Sequence, residues 1–470
     1  MMLNRSFLIY IFCFLFVKNL NCLDDSNKSL EKSESRATVA TNQEQAQNFS
    51  FHLDNSFKNF CKVRCLLLCI GNSDDLFKLS KVIRFDLEFT DQLEVDINKS
   101  EHEPTPDLLP KLFKKGTSLC LFIKDKGEFH EGLRKRGQEV EVIVKEPSLQ
   151  SELLRKRYIY AEDTLVADAH EISSEILPFV TGEKGPMISS LAFTKQISEN
   201  CKAICVSDYS CKREKVIYSD NRITVAPRWH SRAPVVFFSQ FTNVNNRLLS
   251  VDLRTGKQKV ICSYDGLNMQ PSFSQDGIKA VLCLSGRGNS ELYMYDQQLC
   301  NKLRKRVFEQ LTNNRGNNTS PCLLENGDVI FCSDFETGFP QIYYREASTK
   351  LTHRLTNGRG YCAAPSYNAK NNSVVYCRFV KGAFQLFMID LGDKKRREKQ
   401  LTFDFSDKQE PAWSPCGKYI VFSCDQYDPA VRHRVPQIAI LNMLSRRIHV
   451  MTTGSEPKSF PHWTTQVCYK

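Results

Sequence analysis

Three cysteines near the start of the chain have a spacing that could serve metal binding. Cys61, Cys65 and Cys69 follow one another every four residues in the stretch FCKVRCLLLCIG. Thiolates bind zinc and iron well, but zinc knuckles use a two-residue gap and no iron–sulfur signature has this period. No histidine cluster accompanies them. The sequence therefore favours small apolar residues in a buried strand over a metal site.

Residues that could act as nucleophiles or bases form no recognised catalytic pattern. The chain has neither the GxSxG pentad of an α/β-hydrolase nor a HExxH pair. His230 and His462 follow two copies of a recurring motif described below, where a structural role is the favoured interpretation. We therefore expect no catalytic residue, no metal and no cofactor.

Charge alone leaves several partner classes open. Lys and Arg number 64 against 53 Asp and Glu, which gives a net charge of +11. A basic surface could meet nucleic acid, anionic lipid or an acidic protein. The basic runs are short and scattered, and none continues into an aromatic-rich recognition strand: 134–136, 155–157, 304–306 and 394–397. We expect no nucleic-acid partner.

The first 56 residues have the composition of export and linker segments. Arg5 precedes an apolar run from Ser6 to Val17, which is long enough for a signal peptide and too short to span a bilayer. We assign residues 1–22 to a signal peptide, with an unreadable cleavage site. Residues 23–56 are polar and are expected to form a disordered arm.

Residues 57–182 alternate between strand and helix patterns and predict an α/β domain. A strand is expected from Val63 to Ile70, followed by a helix that Ser73 caps. Further strands are expected near 93–97, 118–124, 139–145 and 158–161, and a last helix near 166–177.

From residue 183 onward the sequence repeats itself. The anchor of each copy is a proline two residues ahead of an aromatic or apolar position, as in APRW, QPSF and FPHW. The six anchors, 44 to 50 residues apart, are Pro227, Pro271, Pro321, Pro365, Pro411 and Pro461. After each anchor come an apolar strand, a second strand that often ends in Asp, and an edge strand such as Gln400-Leu401-Thr402. We expect the proline to mark the entry to the innermost strand, where no N–H is required.

Small sheets of this kind bury both faces only by stacking around an axis, so the repeats predict a six-bladed β-propeller over 183–470. Three strands near 190–193, 203–208 and 215–218 lack an anchor, and the last anchor lacks following strands. We expect them to form one shared blade that closes the ring. Cys283, Cys332, Cys377 and Cys424 then occupy one shared strand position. One disulfide among Cys201, Cys205 and Cys211 is compatible with the sequence.

The repeat QPSFSQDGIKAVLCLSGRGNSELYMYD resembles the TolB family of the Tol-Pal envelope system. The stretch Thr181 to Gly185 is similar to the junction between the N-terminal domain and propeller of that family. The resemblance extends from about residue 57 to the C-terminus, and it covers domain order, blade count and closure.

The resemblance implies a monomeric periplasmic adaptor that serves envelope integrity. It implies a Pal-type lipoprotein at the mouth of the propeller and an inner-membrane TolA-type protein on the N-terminal arm. Loops entering the innermost strands would line that mouth, and their polar residues could clasp a protein loop. The expected partner-binding residues are Asn268, Met269, Gln270, Asn317, Asn318, Thr319, Ser320, Gln409 and Glu410.

Two alternatives keep the fold and change the function. A propeller-type hydrolase, or a peptidase-associated propeller without its catalytic domain, would add turnover. A secreted eukaryotic binding propeller would keep the platform and lose the Tol partners. Turnover assays and the neighbouring genes separate these from the adaptor.

Overall fold

The structure is a computed structural model, and it describes residues 62–464 except 106, 132–134, 183, 287 and 359. The expected signal peptide, the expected arm and Cys61 lie outside the described residues. Within the described part of the chain, no helix is both long enough and apolar enough to cross a bilayer.

A five-stranded mixed sheet with three helices forms the α/β domain. Its strands have the order β2-β1-β3-β4-β5; β1 is parallel to β2 and β3, and the remaining pairs are antiparallel. The elements are β1 Val63–Ile70, α1 Asp74–Phe89, β2 Leu93–Ser100, α2 Leu108–Lys114, β3 Leu119–Glu131, β4 Lys135–Glu146, β5 Ser151–Tyr160 and α3 Leu165–Thr181.

Local sequence explains where the helices of this domain begin and end. The Ser73 hydroxyl accepts a hydrogen bond from the Leu76 N–H at the start of α1 (3.4 Å), which confirms the predicted cap. Helix α3 ends at Gly182, whose φ of +75° is the left-handed conformation that glycine adopts at low cost. Helix α2 was not predicted, because its stretch LLPKLFK is too short to show a helical period.

Six four-stranded antiparallel sheets follow, which confirms the predicted six-bladed propeller. Listed from the innermost strand outward, blade 1 has β9 Thr224–Trp229, β10 Val235–Phe241, β11 Asn246–Asp252 and β12 Gln258–Cys262, and blade 2 has β13 Asn268–Phe273, β14 Lys279–Leu284, β15 Glu291–Asp296 and β16 Phe308–Gln310. Blade 3 has β17 Asn318–Leu323, β18 Val329–Ser333, β19 Gln341–Arg345 and β20 Thr352–Arg354, and blade 4 has β21 Cys362–Asn368, β22 Ser373–Val380, β23 Ala383–Asp390 and β24 Glu398–Gln400. Blade 5 has β25 Lys408–Trp413, β26 Tyr419–Asp428, β27 His433–Asn442 and β28 Ile448–Val450, and blade 6 has β29 Lys458–Thr464, β6 Ser190–Ser198, β7 Cys201–Asp208 and β8 Lys215–Tyr218. A short helix, α4 Gln297–Leu303, lies between β15 and β16.

Blade 6 closes the ring as the sequence predicts. Its innermost strand, β29, comes from the C-terminal end of the propeller and pairs with β6 from its N-terminal end. Pairing the first and last segments in one sheet ties the two ends of the propeller together and holds the ring closed.

The anchor prolines lie inside the innermost strands, not at their entry as expected. In blade 2, Met269 pairs with Cys283 and Ser272 pairs with Val281, so Gln270 and the proline after it form a bulge. The same bulge recurs in all six blades, and the residue before each proline has a left-handed φ of +51° to +56°: Ala226, Gln270, Ser320, Ala364, Glu410 and Phe460. A bulge residue needs no ladder N–H, which is why proline is tolerated here.

The edge strands also end earlier than expected. Strand β24 stops at Gln400, and the following Leu-Thr pair is not part of the sheet. The hydroxyl of Thr402 instead accepts a hydrogen bond from the Leu386 N–H of the third strand (3.0 Å). Thr312, Thr356 and Thr452 do the same in blades 2, 3 and 5. Each threonine therefore completes the ladder with its side chain.

Most cysteines are small buried residues. Cys283, Cys332, Cys377 and Cys424 lie on the second strand of blades 2 to 5, which confirms their shared position. Cys65 and Cys69 belong to the buried face of β1. Cys201, Cys205 and Cys211 are free thiols, so the disulfide considered among them is not formed in the structure.

Candidate binding face of the propeller

The antiparallel blades give the propeller two distinct ends. The upper face consists of the loops that lead into the innermost strands and the hairpins between second and third strands. The lower face consists of the turns between first and second strands and between third and fourth strands. Since strands alternate in direction, these two sets of connections must lie at opposite ends.

The α/β domain is attached to the lower face through the end of α1. The Asp91 carboxylate accepts hydrogen bonds from Ser445 (2.6 Å) and Asn442 (3.2 Å), and it lies 3.0 Å from His449 Nε2 and 3.1 Å from Arg447 Nη1. Burial raises the pKa of Asp91, but the hydrogen bonds from His449 and Ser445 outweigh this and leave its pKa below the usual value. A buried carboxylate with this many donors is held as the anion.

Aromatic packing and a second carboxylate extend this attachment. The Phe89 ring contacts Tyr209 (5.0 Å between centroids), Tyr419 (5.3 Å) and His449 (4.8 Å). Next to it, the Tyr209 hydroxyl donates to Asp86 Oδ1 (2.6 Å). One hydrophobic core runs without interruption from α1 and α3 into blades 5 and 6. The part of the lower face that blades 5 and 6 form is therefore occupied by the chain's own domain.

The nine expected partner-binding residues belong to the upper half of blades 2, 3 and 5, but mostly not to loops. Only Asn317 lies in a loop; the others are in β13, β17 and β25. Six are buried, namely Asn268, Met269, Gln270, Asn318, Thr319 and Glu410. The remaining three, Asn317, Ser320 and Gln409, are partly exposed.

The two buried asparagines of this set form hydrogen bonds within the propeller. Asn268 Nδ2 donates to the carbonyls of Tyr264 (2.7 Å) and Asn246 (2.9 Å), and its Oδ1 accepts from the Tyr264 N–H (3.0 Å). Asn318 Nδ2 donates to Glu291 Oε2 (2.9 Å) and to the side chain of Asn314 (3.0 Å). These two side-chain amides hold the loops that precede β13 and β17.

Bulge residues link neighbouring blades around the axis. Gln270 Oε1 accepts from the N–H (3.1 Å) and the hydroxyl (3.1 Å) of Ser320 in the next blade. Glu410 makes the equivalent contact, accepting from the Phe460 N–H, and it also accepts from the Ser423 hydroxyl (2.8 Å). Burial raises the pKa of Glu410. The structure therefore brings Gln270 and Ser320 together and uses both to join the ring.

Both histidines near the anchors make structural contacts. His462 Nδ1 accepts from the Trp229 N–H (3.3 Å), and burial, with a contribution from Arg228, holds the pKa of His462 well below its usual value. His230 Nδ1 accepts from the N–H groups of Arg232 (3.1 Å) and Ala233 (3.0 Å). Among the described residues no three His, Cys, Asp or Glu side chains are grouped as metal ligands.

Exposed apolar side chains of the upper face were missed by the sequence reasoning. Phe403 and Phe405, in the loop before β25, are 75% and 81% exposed. Phe339, in the β18–β19 hairpin, is 63% exposed. The signal was present in the sequence: LTFDFSD carries two phenylalanines where the other blades have LTNNRGN, LTNGRGY and MTTGSEP.

Known proteins share both the sequence pattern and the fold. A family profile described as the TolB beta propeller domain matches residues 178–467, more than half of the chain. A Tol-Pal system protein TolB of Helicobacter pylori strain HPAG1 is 27% identical over 274 residues, which cover 55% of this chain and 63% of the relative. The same-named protein of Francisella tularensis subsp. mediasiatica is 28% identical over 217 residues, covering 44% of this chain and 48% of the relative. The chain thus spans less than two thirds of these relatives.

The fold of the described chain matches a solved structure. The crystal structure of TolB from Acinetobacter baumannii superimposes with a TM-score of 0.73, covering 86% of this chain and 97% of that one, at 20% sequence identity. At this identity the likeness shows the shared fold. The profile match over more than half of the chain establishes that the chain belongs to the TolB β-propeller family.

Proposed function

We propose that the chain is a non-catalytic periplasmic adaptor of a Tol-Pal type envelope system. A Pal-type lipoprotein docks on the upper face, and an inner-membrane TolA-type protein engages the N-terminal arm, residues 23–56. The profile match to the TolB propeller over 178–467 carries this proposal, and relatives named Tol-Pal system protein TolB support the choice of partners.

The arrangement of the two faces supports the choice of docking surface. The α/β domain packs on the lower face at blades 5 and 6, with Phe89 on Tyr419 and Asp91 on Ser445, so that part of the lower face is not available to a partner. A rim of polar loops around exposed aromatic side chains has the composition of a protein-binding surface.

Binding measurements test the proposal directly. The mature protein, immobilised by a C-terminal tag, is exposed to the soluble domain of the Pal-type lipoprotein from the same organism in biolayer interferometry. Saturable binding is the expected result. Deleting residues 23–56 is expected to abolish capture of the TolA-type protein and to leave lipoprotein binding unchanged. Turnover of peptides or lactones by the pure protein would contradict the non-catalytic assignment.

A further inference from the structure

Two loops of the upper face, those before β25 and β29, are held by the same pair of contacts. In blade 4, Gln385 Nε2 donates to the carbonyls of Asp404 (2.8 Å) and Ser406 (3.0 Å). Gln437 donates in the same way to the loop before β29, and a threonine hydroxyl fixes the start of each loop. These loops therefore have defined conformations before any partner binds.

The loop before β25 is fastened further by a buried lysine. Lys408, which is completely buried, donates from Nζ to the Asp404 carboxylate, the Ser406 carbonyl (2.9 Å) and the Ser406 hydroxyl (2.7 Å). Asp407 accepts from the Phe384 N–H (2.8 Å). Because the polar residues of this loop are hydrogen-bonded to the propeller, the backbone that carries Phe403 and Phe405 has a defined conformation, and the two rings are exposed to solvent.

The neighbouring hairpin of blade 5 extends this exposed surface. Strands β26 and β27 continue to pair as far as Asp428 and His433, whereas β18 and β19 end at the pair Ser333 and Gln341. The projecting part carries Tyr427, which is 65% exposed.

Two arginines of the hairpin give the surface its positive charge, and one of them contacts the loop. Arg434 Nη1 donates to the Phe405 carbonyl (3.3 Å), and Arg432 is exposed at the tip of the hairpin. Nearby carboxylates are already engaged: Asp428 accepts from the Ala430 N–H (2.8 Å), and Asp404 is bonded to a buried lysine. Among the residues that the structure describes, neither arginine forms a salt bridge with a carboxylate.

We propose that Phe403, Phe405 and Tyr427, flanked by Arg432 and Arg434, form the main anchor for the protein that docks on the upper face. This blade 5 anchor takes a partner segment that presents apolar side chains between carboxylates. The inference rests on the proposed function and adds the partner chemistry. Exposed aromatic residues in well-ordered loops dominate protein interfaces at low entropic cost, and guanidinium groups beside them that have no carboxylate partner select carboxylates.

The test compares variants of the mature protein for binding to the soluble domain of the Pal-type lipoprotein. The double variant Phe403→Ser/Phe405→Ser is expected to bind about 10- to 30-fold more weakly. Neutralising the hairpin with Arg432→Asn and Arg434→Gln is expected to slow association and to weaken its salt dependence. Leu351→Ser, at a side chain 66% exposed on the lower face, serves as the matched control and should bind normally.

The outcomes separate this inference from the proposed function. Binding by the unchanged protein and equal binding by the double phenylalanine variant would overturn the anchor and leave the adaptor role intact. No binding by the unchanged protein would overturn both. Binding of anionic phosphatidylglycerol vesicles, lost in the double variant, would assign the anchor to a lipid surface and refute a protein partner. Circular dichroism should show the same unfolding midpoint for all variants.

Discussion

The two faces of this propeller use the same kinds of residues in opposite ways. On the lower face, aromatic rings such as Phe89 and Tyr419 are buried together, and the Asp91 carboxylate is shared between the α/β domain and blade 5. On the upper face, polar side chains such as Asn318 are satisfied within the loops, and Phe403 and Phe405 face solvent. The polar groups of blade 5 are satisfied by the α/β domain on the lower face, whereas those of the upper face are satisfied within their own loops.

This difference predicts large losses of stability on the lower face. Phe89 is 2% exposed and packs against the rings of Tyr209, Tyr419 and His449. Phe89→Ala should therefore lower the free energy of unfolding by about 3–5 kcal/mol, because a cavity replaces the ring. Urea unfolding followed by circular dichroism measures the loss.

A matched control uses a phenylalanine of the same domain that lies at the surface. Phe113 in α2 is 54% exposed, so Phe113→Ala should change the stability little. Equal effects of the two substitutions would show that the end of α1 does not hold the domains together.

The charge of Asp91 predicts a pH-dependent contribution from the same face. Asp91→Asn keeps the shape and suits the left-handed φ of +61°, but it should cost about 1–3 kcal/mol at neutral pH through weaker hydrogen bonds to His449, Ser445 and Arg447. Since the pKa of Asp91 is lower in the folded state, its stabilisation is complete above the ordinary carboxyl pKa and is lost as pH falls through the folded-state value. The difference between the two proteins should accordingly shrink in acid, and a constant difference from pH 7 to pH 3 would contradict an ionised carboxylate.

The upper face should lose stability only where its internal hydrogen bonds are removed. Asn318→Ala leaves Glu291 and Asn314 without their amide partner, which should cost about 1–3 kcal/mol. Asn313→Ala, at an exposed position of the same loop, is the control and should be neutral in thermal unfolding. If Asn318→Ala bound the lipoprotein poorly while unfolding normally, Asn318 would be a direct partner contact.

Sequence periodicity predicted the ring because each blade repeats its buried strands and its proline. The periodicity did not predict that the proline lies inside the innermost strand, because a bulge changes the pairing of two strands without changing the order of residue types. Gln270 and Pro271 therefore resemble the start of a strand until the register of the strand pair is known. For the same reason Asn268 and Asn318 looked like loop residues. Whether an asparagine faces a partner or its own loop is decided by the fold around it, which contacts such as Tyr264 to Asn268 reveal.

The smallest change in stability is expected for substitution of the exposed phenylalanines of the upper face. Phe403 is 75% exposed, so Phe403→Ala removes almost no buried area and should change the free energy of unfolding by no more than about 0.5 kcal/mol. The comparison with Phe89→Ala in the same urea titration is then a comparison of the same substitution on the two faces. A loss at Phe403 as large as that at Phe89 would mean that its loop is part of the core, and its exposure would no longer argue for a partner. A neutral result is the one that the binding proposal requires, since a ring that serves a partner should add little to the stability of the free protein.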